Sequence, residues 1–229
     1  MIERVLIMAE IFERFEQKYL LDANQCKLIL NEVETYMKKN KFFEADINSI
    51  YFDTDNFVLI NRSIEKPLYK EKLRIRSYED YPDEVFMELK KKYDGVVYKR
   101  RCKVKYPECL DIYNCEFDDK QIGEEIKYAL KFYQKLEPKI YVGSKRYSYI
   151  GKQGADLRIT FDEKIRYRFR NLSLNKSSDD KLLTDKIVME IKVDNAMPLW
   201  LSKILDEVKA YPQGYSKVGN AYIKEKKNV

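Results

Sequence analysis

The chain alternates between two periods. From Tyr69 to Tyr78 the period is two: Lys70, Lys72, Arg74 and Arg76 fall on one face, and Leu73 and Ile75 fall on the other. The same alternation recurs in Val85–Lys92, where Phe86, Glu88, Lys90 and Lys92 share a face opposite Val85, Met87 and Leu89. It recurs again in Val97–Lys105, with Lys99, Arg101, Lys103 and Lys105 together. Asp94-Gly95 predicts a tight hairpin turn between the second and third of these strands. Further strands are predicted at Glu13–Leu20, Ile47–Asp53, Ile140–Ile150, Leu157–Arg168 and Ile187–Val193, with a turn at Gly151–Gly154. Helical spacing appears from Asp22, where Asp22 and Gln25 form a capping box and Cys26, Ile29, Leu30, Val33 and Met37 make an apolar stripe. This helix is expected to end in the Lys38-Lys39-Asn40-Lys41 run, since cations favour a helix C-terminus. Other helices are expected at Asp55–Ile64, Gln121–Leu136 (stopped by Pro138), Pro198–Ala210 and from Tyr215 onward, and Met1–Glu10 reads either as a short helix or as a displaced start.

Three successive strands with a cationic face are unusual. Side-by-side cations repel, and Glu88 interleaves too little negative charge to neutralise them. Such rows are tolerable around something anionic. The pattern therefore predicts a sheet curved into a barrel whose interior binds a polyanion. About eight strands with hairpin spacing are enough to close a small, mostly antiparallel barrel with helices outside, an α+β fold in a single domain.

Composition sharpens this picture. The 229 residues carry 44 basic and 38 acidic side chains, a net charge of +6 that fits a local basic site better than a nonspecific nucleic-acid coat. Histidine is absent. This excludes histidine general catalysis, histidine-ligated zinc and a Ser-His-Asp triad. A metal would have to be held by carboxylates and by substrate oxygens, which points to Mg²⁺ or Mn²⁺. The four cysteines, Cys26, Cys102, Cys109 and Cys115, form no C-x-x-C pair and read as reduced thiols of a cytoplasmic protein. No signal peptide or apolar run of membrane-spanning length is present, so no direct membrane insertion is expected.

Several short motifs then appear in a fixed order: Arg14-Phe15-Glu16-Gln17-Lys18-Tyr19, Ser49-Ile50-Tyr51-Phe52-Asp53-Thr54, Lys72-Leu73-Arg74-Ile75-Arg76, Glu88-Leu89-Lys90, Lys99-Arg100-Arg101, Arg158-Ile159-Thr160-Phe161-Asp162, Glu190-Ile191-Lys192 and Tyr215-Ser216-Lys217. In this order the chain resembles the VTC domain, the polyphosphate-polymerase branch of the triphosphate tunnel metalloenzymes (the CYTH-like superfamily), over about residues 12–222. One departure is Ser144 before Arg146, where the family often has tyrosine; it is expected to drop one hydroxyl contact.

The resemblance implies a closed, eight-stranded antiparallel tunnel lined by alternating Lys, Arg and Glu. It implies catalytic phosphate contacts from Lys72, Arg74, Arg76, Lys90, Lys99 and Arg146. Further substrate contacts are implied from Lys18, Arg101, Arg158, Lys192, Ser216 and Lys217, the last two closing one mouth. Mn²⁺ or Mg²⁺ is expected on Glu190, with Glu16 and Glu88 as further candidates, although Glu88 serves equally well to hold neighbouring cations apart. Asp162 is expected to orient an arginine. Expected ligands are ATP, triphosphate or polyphosphate, with no nucleic-acid partner. The expected activity is transfer of the terminal phosphoryl group of ATP to polyphosphate. Hydrolysis of triphosphate or nucleoside triphosphate in the same tunnel, or noncatalytic polyphosphate binding, are the alternatives. The resemblance is to the catalytic domain alone, without the regulatory and membrane-spanning parts of some members, and leaves room for a separate membrane partner.

Overall fold

The computed structural model describes residues 15–79, 82–94, 96–152, 156–194 and 196–227. In chain order the elements are β1 (Phe15–Leu21), α1 (Ala23–Tyr36), β2 (Met37–Asp53), α2 (Val58–Glu65), β3 (Tyr69–Ser77), β4 (Glu84–Tyr93), β5 (Val96–Lys105), α3 (Lys120–Tyr133), β6 (Glu137–Gly151), β7 (Leu157–Arg168), β8 (Lys181–Leu182), β9 (Ile187–Val193), α4 (Leu199–Glu207) and α5 (Lys217–Lys226). All strand pairs are antiparallel, in the order β1-β9-β7-β6-β2-β3-β4-β5, with the two-residue β8 on β7. Among the described residues the strands number nine where about eight were expected.

Alternation explains the strands well: β7 and β9 have the predicted limits, and the β4–β5 hairpin turns at Asp94, whose φ of 42° suits a primed turn. Two expectations are corrected. First, α1 has its capping box at Asp22 and Gln25 but ends at Tyr36; Lys38–Lys41 belong to β2, where Lys38 and Lys39 pair with Ile150 and Tyr149. Ladder pairing with β6, and packing of Phe43 on the core beneath Lys39, outweigh the dipole preference of those cations. Second, the sheet is not closed by hydrogen bonds. Its path ends on β1 and β5, and among the described residues no ladder joins them. The seam is spanned instead by charge, since Lys90 of β4 lies 4.0 Å from Glu16 of β1. Met1–Glu10, read as a short helix or a displaced start, Arg14, the Gln153-Gly154 part of the predicted turn at Gly151–Gly154, and Gly95 of the hairpin turn lie outside the described residues.

The outer face of the sheet is apolar and covered. Leu73, Ile75, Met87 and Leu89 pack with Ile126 and Leu130 of α3. Tyr19, Ile159, Met189 and Ile191 pack with Ile29 and Val33 of α1 and with Leu201 and Leu205 of α4. The concave face has a third, smaller core. Tyr51, Val142 and Val188 meet Ile60 of α2 and Val218, Ala221 and Tyr222 of α5. This core forms a floor, above which the concave face is polar. No helix among the described residues is long and apolar enough to cross a membrane.

Candidate active site in the concave face

The charged rows point inward. Register sets Lys72 beside Lys90 and Lys90 beside Lys99, and Arg74 beside Glu88 and Glu88 beside Arg101. Three carboxylate clusters hold the cations. At the centre Glu88, which is 1% exposed, lies 2.7 Å from Arg74 and 2.7 Å from Lys99, 3.9 Å from Arg101 and 4.0 Å from Arg76. Arg74 also donates to the Tyr51 hydroxyl at 2.8 Å, and Arg76 to Ser49 Oγ at 3.2 Å. Across the concavity Asp162 accepts two bonds from Arg146, at 2.6 and 2.7 Å, and pairs with Lys217 of α5. At the seam Glu16 and Glu190 share Lys18 (2.9 and 3.6 Å) and Lys192 (3.6 and 3.0 Å). The Lys72 ammonium donates to Ser216 Oγ at 3.0 Å, which ties the column to the N-cap of α5. Arg158 is exposed, in register with Lys192.

Ten of these cations therefore face four carboxylates, and their ionisation shows the excess. Burial, reinforced by Lys18 and Arg74, pushes the Lys72 ammonium down to about 8. Burial does the same to Lys217, also to about 8: it outweighs the attraction of Asp162, and Arg146 adds a smaller repulsion. Burial opposes ionisation of Glu88 and Glu16, but the cations prevail and hold both at about 2. Burial likewise opposes ionisation of Tyr51, yet Arg74, Arg76 and Lys72 bring its hydroxyl down to about 7. The arrangement favours added negative charge.

Residues 13–224 match the family model of the VTC domain. The chain belongs to the VTC-domain family. Among solved structures, this VTC domain is similar to the PH1819 protein of Pyrococcus horikoshii OT3, with 15% identity, 94% of this chain and 99% of that one covered, and a TM-score of 0.50. It is also similar to HpAC1 of Hippeastrum, described as an adenylyl cyclase with a dominant triphosphatase activity, with 15% identity, 90% and 93% covered, and a TM-score of 0.46. No curated protein matches the sequence. The family match bears out the resemblance to the VTC domain read from the motifs above.

Not every motif residue of this VTC domain touches the concavity. Asp53 caps α2, accepting from the Leu59 and Ile60 amides at 2.9 and 2.8 Å. Tyr51 and Ser49, assigned no role from sequence, hold the two central arginines; their alternation within the same motif was the available signal. The Ser144 hydroxyl accepts from Lys217 at 3.3 Å. Among the described residues no three metal-ligating side chains gather. Glu16 and Glu190 are the pair that would suit a hard cation: they share Lys192 and are held ionised. Glu88 lies apart from them, its oxygens engaged by four cations.

The two depressed lysines set a pH dependence. Bound triphosphate favours their charged forms, so binding above pH 8 must take up protons. Affinity for inorganic triphosphate, measured by calorimetry without metal, is expected to fall roughly tenfold or more between pH 8 and pH 9. A flat profile would place the phosphates away from Lys72 and Lys217.

Proposed function

We propose that this VTC domain is a metal-dependent phosphotransferase that moves the terminal phosphoryl group of ATP onto a polyphosphate chain lying in the concavity. The observation that carries this reading is the inward column Lys72–Arg74–Arg76, facing Arg146 and Lys217 from the opposite wall. Phosphoryl transfer requires charge neutralisation and in-line placement more than covalent help. Arg74, Arg76 and Arg146 offer planar forks for phosphate oxygens, and Lys18, Lys72, Lys90, Lys99 and Lys192 offer point charges. A bound polyanion supplies the counter-charge that the four carboxylates leave unmet and lies along the seam as well, so the open sheet works as a tunnel. Glu16 and Glu190 would hold Mn²⁺ or Mg²⁺, which would supply neutralisation of phosphate charge. The bond from the γ-phosphorus to the β–γ bridging oxygen breaks, a terminal oxygen of the chain forms the new P–O bond, and ADP leaves. That oxygen is already deprotonated, so no general base is needed and the absence of histidine is no handicap.

The test is product analysis after incubation with ATP and Mn²⁺. Long chains on a gel stained for polyphosphate support transfer. Free phosphate from inorganic triphosphate, without chains, replaces it with hydrolysis, in which Glu16 would position water. Tight binding with no turnover replaces both with a polyphosphate binder. Glu190→Gln is expected to lose metal-dependent turnover by a hundredfold or more, on the order of losing a charge-positioning group; full activity in that variant would remove Glu190 from the metal site.

A further inference from the structure

Among the described residues, the mouth at the Tyr78 end carries aromatic surface that phosphate binding does not use. Phe86 lies on the inner face of β4 opposite Arg76, and Tyr78 follows β3 directly. Their ring centroids are 6.1 Å apart at 72°. The Arg101 guanidinium lies 3.3 Å from the Phe86 centroid and 5.5 Å from that of Tyr78. Tyr78 is 40% exposed, and the Arg101 side chain 36%. Beside them is a hollow of about 320 Å³ lined by Glu79, Glu84, Phe86 and Lys103.

A guanidinium centred over one ring and beside a second is engaged by aromatic surface, and its remaining exposed part, like the exposed ring of Tyr78, suits a further planar group. Phosphates are tetrahedral and do not stack; nucleobases do. The opposite end of the concavity is closed by Val218, Ala221 and Tyr222, so among the described residues a nucleoside has room at this mouth and none at the floor. The register also gives a direction. Arg76 is the neighbour of Phe86, and Arg74 and Lys72 follow it inward.

We propose that Tyr78, Arg101 and Phe86 form a nucleobase platform, so that a nucleoside triphosphate binds base-outward with its phosphates running down the column from Arg76 to Lys72. Arg101 then belongs to base recognition and leaves the phosphate wall. This rests on the reading of the concavity as a triphosphate site.

Calorimetric titration of the full chain without divalent metal, with ATP and with inorganic triphosphate, tests both. In Tyr78→Leu the affinity for ATP is expected to drop about tenfold, the effect of losing one base–aromatic stack, with inorganic triphosphate bound as in wild type. Unchanged ATP affinity in Tyr78→Leu, or an equal loss for both ligands, overturns the platform while leaving the triphosphate site standing. A wild-type chain that fails to bind inorganic triphosphate overturns both.

Discussion

Glu88→Gln is expected to destabilise the protein by about 3–5 kcal/mol, the scale for removing one partner of a buried ion pair. In a domain of this size that is a fall in melting temperature of roughly 10 °C. Glu88 is 1% exposed and lies within 4.0 Å of Arg74, Arg76, Lys99 and Arg101, so its loss leaves four cations close together with no counter-charge. The amide keeps the shape, and the deficit is electrostatic. Inorganic triphosphate is therefore expected to restore much of the lost melting temperature, because it brings the missing charge to the folded state. The acid limb gives a second readout. The folded Glu88 carboxyl sits at about 2, below its usual 4.5, so its contribution is complete above pH 4.5 and disappears as pH falls toward 2. Unfolding curves of the variant should be flatter than wild type in that window. An unchanged melting temperature would mean that the cations of β3 and β5 do not depend on Glu88.

The contents of this concavity were legible in sequence because alternation reports faces. Lys72, Arg74 and Arg76 had to share one side of a strand whose other side carried Leu73 and Ile75, and the same parity placed Glu190 with Lys192 and Thr160 with Asp162. Helix caps were legible for a similar reason, since Asp22 and Gln25 act within one turn. Parity does not report curvature or what covers a face. The floor formed by Val218, Ala221 and Tyr222 against Tyr51 and Val142 depends on contacts between distant parts of the chain, and no local pattern marks it. The open seam has the same origin: hydrogen-bond closure depends on the relation between the first and last strands of the path, which neither strand encodes alone. Lys38–Lys41 misled because a cationic run suits a helix end and an exposed strand equally, and the choice was made by β6.

Arg74→Ala is expected to lower turnover by about a thousandfold or more, on the scale of removing an arginine that stabilises a transferring phosphoryl group, with the melting temperature within a few degrees of wild type. The contrast with Glu88 follows from charge. Removing Arg74 leaves Glu88 with Lys99 at 2.7 Å and with Arg101 and Arg76 near 4 Å, so the carboxylate is not orphaned. It also takes one cation from a crowded wall, and this relief offsets the packing lost with the side chain. Tyr51 supplies a readout independent of turnover. Burial alone would raise its hydroxyl, but the surrounding cations, Arg74 above all, bring it down to about 7, and it accepts the 2.8 Å bond from that guanidinium. In wild type, tyrosinate absorbance should therefore rise near neutral pH, and in Arg74→Ala the same transition should move upward. A variant that unfolds would make the column a structural device. One that folds and turns over normally would remove Arg74 from the phosphate site, whatever the tyrosine reports. Loss of turnover with an upward-shifted Tyr51 and an intact fold is the combination that a phosphate-binding wall, built from mutually repelling cations and held by one buried carboxylate, requires.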